Sequence, residues 1–301
     1  NLNGANLNPQ KMGVGHYAGL IRGGHKDYYN WRRTENGETR NVGKYATTAF
    51  TDEAIGWIKQ NNSPWFLWLA YTAPHFPLHL PPAHLHNRQN LSGEKRGMRR
   101  NALSYYFAAL EALDREMGRI LVSMSKSVRA NTLIIFLGDN GSPGRVAQLP
   151  FARRKAKGTL FEGGIRVPMV VQGAGVSRKG QREAALVNTT DIFATLGEIA
   201  QTNLAKASDS MSFKHLLSTA VSSKRKFLYS EQFNTNRPNQ TNGWTIRNET
   251  HKLLVFEDGS EHLFDLRSDR SEERNLLEAN NSSAQIIAKK LREKAKELRT
   301  N

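Results

Sequence analysis

TLIIFLGDNGSPGRVAQLPFARRKAKGTLFEGGIRVP, residues Thr132 to Pro168, is the stretch on which the reading of the fold turns. Leu133–Leu137 is a continuous apolar run of strand length, which predicts a strand buried on both faces. It stops abruptly at Gly138-Asp139-Asn140-Gly141. In an open α/β sheet, ligands bind beyond the carboxyl ends of strands, so a carboxylate and an amide placed there sit where chemistry is done. Asp139 and Asn140 offer only hard oxygen ligands. The glycines beside them allow a tight turn that aims both side chains at one point, as calcium or magnesium requires. The same four residues also suit an ordinary turn.

The second half of the stretch decides between these readings. Lys157-Gly158-Thr159-Leu160-Phe161-Glu162-Gly163-Gly164-Ile165-Arg166-Val167-Pro168 leads into the apolar Met169-Val170-Val171. Its glycines allow close backbone approach, Glu162 and Arg166 can pair to hold the loop, and Lys157 supplies a cation. A strand ending in DNG and followed by KGTLFEGGIRVP resembles the sulfatase family, the type I, formylglycine-dependent enzymes of the alkaline-phosphatase-like superfamily. The resemblance implies an α/β fold with a mostly parallel sheet flanked by helices, incomplete at the N-terminus, and a small C-terminal antiparallel sheet with a closing helix. It implies calcium at Asp139 and Asn140, with magnesium as the alternative metal. Lys157 would contact the sulfate, and His75 would contact it or protonate the leaving oxygen. The substrate implied is a sulfated carbohydrate or an aryl sulfate, met in the periplasm or outside the cell.

Composition sets the outer bounds. With 301 residues, 38% hydrophobic and 23% charged, the chain can bury a real core and is neither fibrous nor disordered. A net charge of +16 favours polyanions as partners without choosing among them, or simply gives a basic soluble surface. There is no cysteine, so disulfides and zinc-thiolate sites are excluded. No run approaches the roughly 18 apolar residues of a membrane-spanning helix. The first residues, NLNGANLNPQ, carry neither a basic nor an apolar leader region, and the chain reads as the downstream piece of a longer one.

Residues 1–40 show no helical or strand period and read as a long irregular segment in which His16 and His25 are solvated or structural. A stripe of Ala49, Phe50, Ala54, Ile55 and Ile58 predicts a helix up to Gln60. Trp65–Tyr71 reads as an aromatic-rich buried strand that empties into Thr72-Ala73-Pro74-His75-Phe76-Pro77. Prolines on both sides hold His75 on a stiff loop, and strand-APHFP again resembles the sulfatases. His79, His84 and His86 have no such match. A helix is expected over Ala102 to about Met124, with Leu103, Phe107, Leu110, Leu113, Met117, Ile120 and Leu121 toward the core and Asp114 structural. Thr190 is expected to cap a helix over Asp191–Ala200. The alternation of strands and helices argues for α/β. Beyond a composition shift at 201–210, four strand candidates (226–231, 244–248, 252–257 and 261–266) are punctuated by Asn242-Gly243 and Asp258-Gly259. This part, with His262-Leu263-Phe264-Asp265-Leu266 and Glu273-Arg274-Asn275-Leu276, resembles the sulfatase C-terminal subdomain, whose patterns are R-x-x-x-x-K-L, E-L-Y-D-L and E-x-x-N-L. A closing helix over about 284–298 is expected to turn Ile286, Ile287, Leu291 and Leu298 inward. The domains expected are a partial catalytic domain, 1–210, and a C-terminal subdomain, 211–301.

Sulfate ester hydrolysis needs negative charge stabilised on the sulfuryl oxygens and on the departing alkoxide, which a divalent cation, a lysine and a protonated histidine supply. Sulfatases also use a formylglycine made from the Cys or Ser of C/S-x-P-x-R, together with an earlier aspartate pair. Neither motif is in this stretch, since Ser142-Pro143-Gly144-Arg145 has the wrong spacing. The formylglycine is expected in an upstream part, and the 301 residues alone are expected to be inactive. Two other readings stand beside this one: a phosphoester or phosphonate hydrolase of the same superfamily, and a non-catalytic polyanion-binding fragment. Nucleic acid is not the expected partner.

Overall fold

Asn36 and Gly37, with φ of 46° and 102°, fold the chain back on itself inside the segment expected to be irregular. They form the two-residue turn of a hairpin between β2 (Trp31–Glu35) and β3 (Glu38–Val42), to which β1 (Ala18–Gly19) adds a third strand. The signal was local: Asn-Gly favours the left-handed backbone that matches hairpin twist. The computed structural model describes residues 5–21, 24–202, 209–233, 242–279 and 281–300. The chain divides into two units, Asn1–Ala130 and Asn131–Asn301, and the boundary expected at 210/211 lies inside the second.

In the first unit, α1 (Asn8–Lys11) precedes the hairpin, and α2 (Ala46–Gln60), α3 (Lys95–Arg100), α4 (Ala102–Ser123) and α5 (Lys126–Ala130) follow it. The large residues Leu103, Phe107, Leu110 and Met117 are only half-buried. The face of α4 that goes inward is instead Ala102, Tyr105, Ala108, Ala109, Ala112, Leu113, Glu116 and Ile120, because small side chains let two helices approach closely. Asp114 is exposed. The fully buried Glu116 accepts from Thr48 Oγ1 at 2.6 Å and pairs with Arg119 at 2.5 Å.

Trp65–Tyr71 is extended but joins no ladder among the described residues. Trp65, Leu67, Leu69 and Tyr71 pack on Ala54, Ile58 and Ile120, whereas Phe66 and Trp68 point outward, 64% and 80% exposed. The buried strand expected there is therefore covered on one side only.

A second core in this unit is aromatic. His25 lies 4.7 Å from Tyr28 and 5.1 Å from Trp31, ring to ring, and His79 stacks on Tyr28 at 3.7 Å. His79 Nδ1–H donates to Pro77 O (3.1 Å), and Nε2 shares a hydrogen bond with the Tyr45 hydroxyl (2.9 Å). Neither nitrogen of His25 has a hydrogen-bond partner among the described residues.

The second unit begins with β4 (Leu133–Leu137), α6 (Glu162–Ile165) and β5 (Met169–Gly173). β4 and β5 pair antiparallel, Leu137 opposite Met169, and every ladder among the described residues is antiparallel. A parallel pair needs a long crossover, usually a helix. The chain between these two strands holds only the four-residue α6 and a short turn at Arg153–Lys155, and it returns directly alongside. One face of the pair, Leu133, Ile135, Met169 and Val171, packs on Phe213, Leu216 and Leu217. The other face is half-open, with Val170 58% exposed, so β4 is buried on one side rather than two.

Next comes α7 (Asp191–Ile199). Thr190 makes no side-chain cap; Asp191 is gripped by Arg225 through two bonds of 2.8 and 2.5 Å.

The C-terminal sheet matches the expected one: β6 (Leu228–Gln232), β7 (Gly243–Arg247), β8 (His251–Phe256) and β9 (Glu261–Asp265) in sequential antiparallel order, closed by α8 (Ser282–Thr300). Helix α8 lays Ala284, Ala288, Leu291 and Ala295 on Ile246, Leu253 and Leu263. Ile286 and Leu298, expected inward, are exposed. Among the described residues no helix is long and apolar enough to cross a membrane.

Burial holds the pKa of both His25 and His79 down at about 4, against an ordinary 6.5. The unfolded chain takes up protons near 6.5 while the folded one resists until about 4, so stability present at neutral pH is lost as pH falls through that window. Near pH 5 the loss should reach about 2 kcal/mol per histidine. Urea unfolding of the chain and of His25→Phe at pH 7 and pH 5 checks this. The substitution should remove about half of the acid sensitivity, and an unchanged pH dependence would place its cause elsewhere.

Candidate active site

Glycine geometry brings the two halves of the 132–168 stretch together. The Gly141 N–H donates to Gly164 O at 2.8 Å, and the Lys157 N–H donates to Ser142 O at 3.0 Å. A Cβ at Gly141 would lie 1.9 Å from Gly163 O, so only glycine permits this approach. The loop bearing Asp139 and Asn140 is thereby bonded, backbone to backbone, to the turn bearing Lys157. All three side chains are exposed. Asp139 Oδ1 accepts the Asn140 N–H at 2.8 Å, and Asn140 Nδ2 donates to Gly141 O at 3.2 Å, which leaves Asp139 Oδ2 and Asn140 Oδ1 as outward oxygen donors. Two hard oxygens on a fixed turn fit part of a calcium or magnesium shell, which calls for six or more oxygen ligands in all.

The turn itself rests on the C-terminal sheet. Leu160 and Phe161 pack on Leu254, Phe264 and Leu266. Beside them Glu162, 2% exposed, accepts from Lys252 Nζ at 3.0 Å on one oxygen and from Arg247 Nη1 at 3.0 Å on the other. The Arg166 guanidinium, expected to be the partner of Glu162, is exposed and lies farther away, 3.9 Å. Lys252 is fully buried and also pairs with Glu272 at 2.8 Å, whose other oxygen accepts the Glu162 N–H at 2.6 Å. Burial pushes Glu162 up, but Lys252 and Arg247 outweigh it and hold the carboxyl below its usual range. For Glu272 burial wins over Lys252, and its carboxyl is raised.

Sequence reasoning missed this anchor, although its signals were present. Arg247 and Lys252 are the ends of the R-x-x-x-x-K-L pattern, and E-x-x-N-L begins at Glu272, one residue before the exposed Glu273. Asn275 of that pattern accepts the Leu263 N–H at 2.9 Å and so satisfies the edge of β9.

His75 belongs to the first unit. It is exposed on the 72–82 loop, with its N–H on Thr72 O at 2.8 Å and its carbonyl accepting from Tyr28 O–H at 2.9 Å. Nδ1–H donates to Phe76 O at 2.8 Å, which leaves Nε2 as the nitrogen that can exchange a proton with a ligand. His16, Glu35 and Glu53 also gather their donor atoms within 4.8 Å of one another. Arg33 balances both carboxylates there, at 2.6 and 2.5 Å, and makes the group an ion-pair cluster.

Comparison with known proteins bears on this arrangement. The family model described as Sulfatase matches residues 2–202, and the one described as N-sulphoglucosamine sulphohydrolase, C-terminal, matches residues 155–301. A sulfatase of Formosa agariphila is 29% identical over 270 residues, 81% of this chain and 48% of its own length. An arylsulfatase of Clostridium perfringens is 23% identical over 297 residues, 87% of this chain and 59% of its own. The chain thus spans about half the length of these relatives. Among solved structures, Ps i-CgsB superposes with a TM-score of 0.77 at 24% identity, over 96% of this chain and 67% of that one. A protein solved with its substrate D-glucosamine-2-N,6-O-disulfate gives a TM-score of 0.78 at 19% identity, over 96% and 77%. At these identities the likeness shows the fold, the alkaline-phosphatase-like α/β architecture expected from the sequence.

Lys252→Met leaves Glu272 buried without a counter-ion, and breaking such a buried pair should cost about 3–5 kcal/mol. Denaturant unfolding at pH 7 measures it. Because the Glu272 carboxyl is raised, it becomes neutral sooner on acidification, so the loss should shrink as pH falls. A variant as stable as the parent at pH 7 would show that this triplet does not anchor the turn.

Proposed function

The chain belongs to the sulfatase family, and we propose that it supplies the distal part of a metal-assisted sulfuric ester hydrolase acting on sulfated carbohydrates or aryl sulfates. The observation that carries this reading is the backbone clasp between the Asp139-Asn140 loop and the Lys157 turn, which keeps two hard oxygens and an ammonium on adjoining exposed loops. Asp139 Oδ2 and Asn140 Oδ1 would hold a divalent cation, calcium or alternatively magnesium, which stabilises negative charge on a sulfuryl oxygen. The Lys157 ammonium would bind another sulfuryl oxygen. His75 Nε2 would contact the sulfate or hand its proton to the leaving oxygen, with the Nδ1–H bond to Phe76 O holding the ring in place.

The C/S-x-P-x-R nucleophile motif is not in these 301 residues, so hydrolysis is assigned to a polypeptide that carries it beside this stretch. There a formylglycine would supply the nucleophile. A sulfated sugar as substrate is supported by similarity to an N-acetylglucosamine-6-sulfatase of Capra hircus, 26% identical over 225 residues. A periplasmic or extracellular setting is part of the same proposal.

In such a complete enzyme, Asp139→Ala and Lys157→Ala should each lower kcat on nitrophenyl sulfate by about 10²–10³. Stripping the metal with chelator should do the same, with recovery on adding calcium. A higher turnover on nitrophenyl phosphate than on the sulfate would transfer the chain to the phosphoester reading.

A further inference from the structure

Behind the C-terminal sheet, on the face opposite the Lys157 turn, is a groove of about 330 Å³ lined by Trp244, Arg292, Ala295, Lys296, Arg299 and Thr300. The two faces are distinct in the packing: Leu254 and Phe264 meet the turn, whereas Ile246, Leu253 and Trp244 meet α8. The ladder register sets one row of residues across all four strands, Glu231, Trp244, Val255 and Glu261. The two glutamates at the ends of this row each take one arginine of α8. Arg292 Nε donates to Glu261 at 2.9 Å, and Arg299 Nε lies 3.4 Å from Glu231. Among the described residues only Nε is used in each case, so the Nη donors of both arginines can turn to a ligand in the groove that Trp244 also lines. Lys296, one helical turn from each arginine and exposed, has no acidic partner among the described residues. The acids of α8, Glu293 and Glu297, fall on its other flank.

An indole floor, two arginine forks braced at fixed positions and one unpaired ammonium are a pattern for a ligand with both an apolar ring face and an anionic ester. Trp offers a flat apolar surface for the C–H face of a pyranose, and guanidinium forks match the oxygens of a sulfate. Three cations against two glutamates leave a local charge of about +1, enough for one sulfate ester. The volume is at the small end of ligand sites, suited to one sugar residue of a longer chain. We propose that this groove is a non-catalytic subsite that holds a sulfated sugar residue of a polymeric substrate. The choice of a sulfated sugar rests on the reading of the chain as a sulfatase; the groove and its charge do not.

The test is titration calorimetry of the 301-residue chain with a heparin-derived tetrasaccharide and with its fully desulfated counterpart. The sulfated ligand should bind at least about tenfold more tightly, and Lys296→Glu, at an exposed position that should leave the thermal midpoint unchanged, should weaken it by about tenfold. Lys157→Ala should leave the affinity as it is. Loss of binding in Lys157→Ala with none in Lys296→Glu would assign the saccharide to the turn and overturn the groove. Equal affinity for the desulfated ligand, or tighter binding of a single-stranded oligonucleotide, would overturn its chemistry. Nitrophenyl sulfate hydrolysis by a complete enzyme carrying Lys296→Glu should be unchanged, so a failure of the catalytic reading shows separately.

Discussion

A single buried ammonium, Lys252, sits between two buried carboxylates, and the geometry of the candidate site depends on that triplet. Two negative charges in a protein interior repel and are poorly solvated, so neither would stay ionised there alone. With Lys252 and Arg247 in place, Glu162 keeps its charge and bridges both cations, one on each oxygen. The constraint then passes along covalent structure: Glu162 fixes Gly163, Gly163 O meets the bare α-carbon face of Gly141, and Gly141 fixes the direction in which Asp139 and Asn140 point. A lysine in a β-strand of the C-terminal sheet thus governs the aim of a turn more than a hundred positions earlier in the sequence.

The groups proposed to act on substrate are exposed, and the groups beneath them are buried and paired. Asp139, Asn140, Lys157 and His75 all face solvent, while their supports are buried backbone bonds, glycine contacts and paired charges. This division suits chemistry on an anionic ester. Ligating oxygens and cations must shed water for substrate, so they do best on rigid mounts that do not have to reorganise when the substrate arrives. In the first unit the aromatic cluster has the corresponding role, since Tyr28 both stacks on His79 and bonds the His75 carbonyl.

Much of this was legible in the sequence, and the rest was obscured for identifiable reasons. The extents of α2, α4, α7 and α8 and the order β6 to β9 followed from period and turn residues. The faces of α4 and α8 did not, because hydrophobic pattern weights large side chains. What chose the face was closeness of packing, which favours Ala108 and Ala112 over Phe107, and Ala288 and Ala295 over Ile286. The β2–β3 hairpin was written in Asn36-Gly37 but lay among polar residues with little apolar alternation. The Asp139 and Lys157 loops were readable as motifs. Their anchor was not, since a buried Lys252 or Glu272 looks in sequence like any surface charge until the chain after β9 folds back and brings the two together.

Phe66 and Trp68 stand out from a segment whose backbone joins no ladder among the described residues, and this bears on how the chain behaves as a colloid. Flat apolar strands with free amides recruit other strands, including copies of themselves. What opposes this is mutual repulsion between molecules of charge +16. That repulsion reaches about 30 Å in 0.01 M salt and only about 8 Å in 0.15 M. The isolated chain should therefore stay dispersed in dilute buffer and associate through this segment in saline, so added salt, the customary aid for basic proteins, works against it.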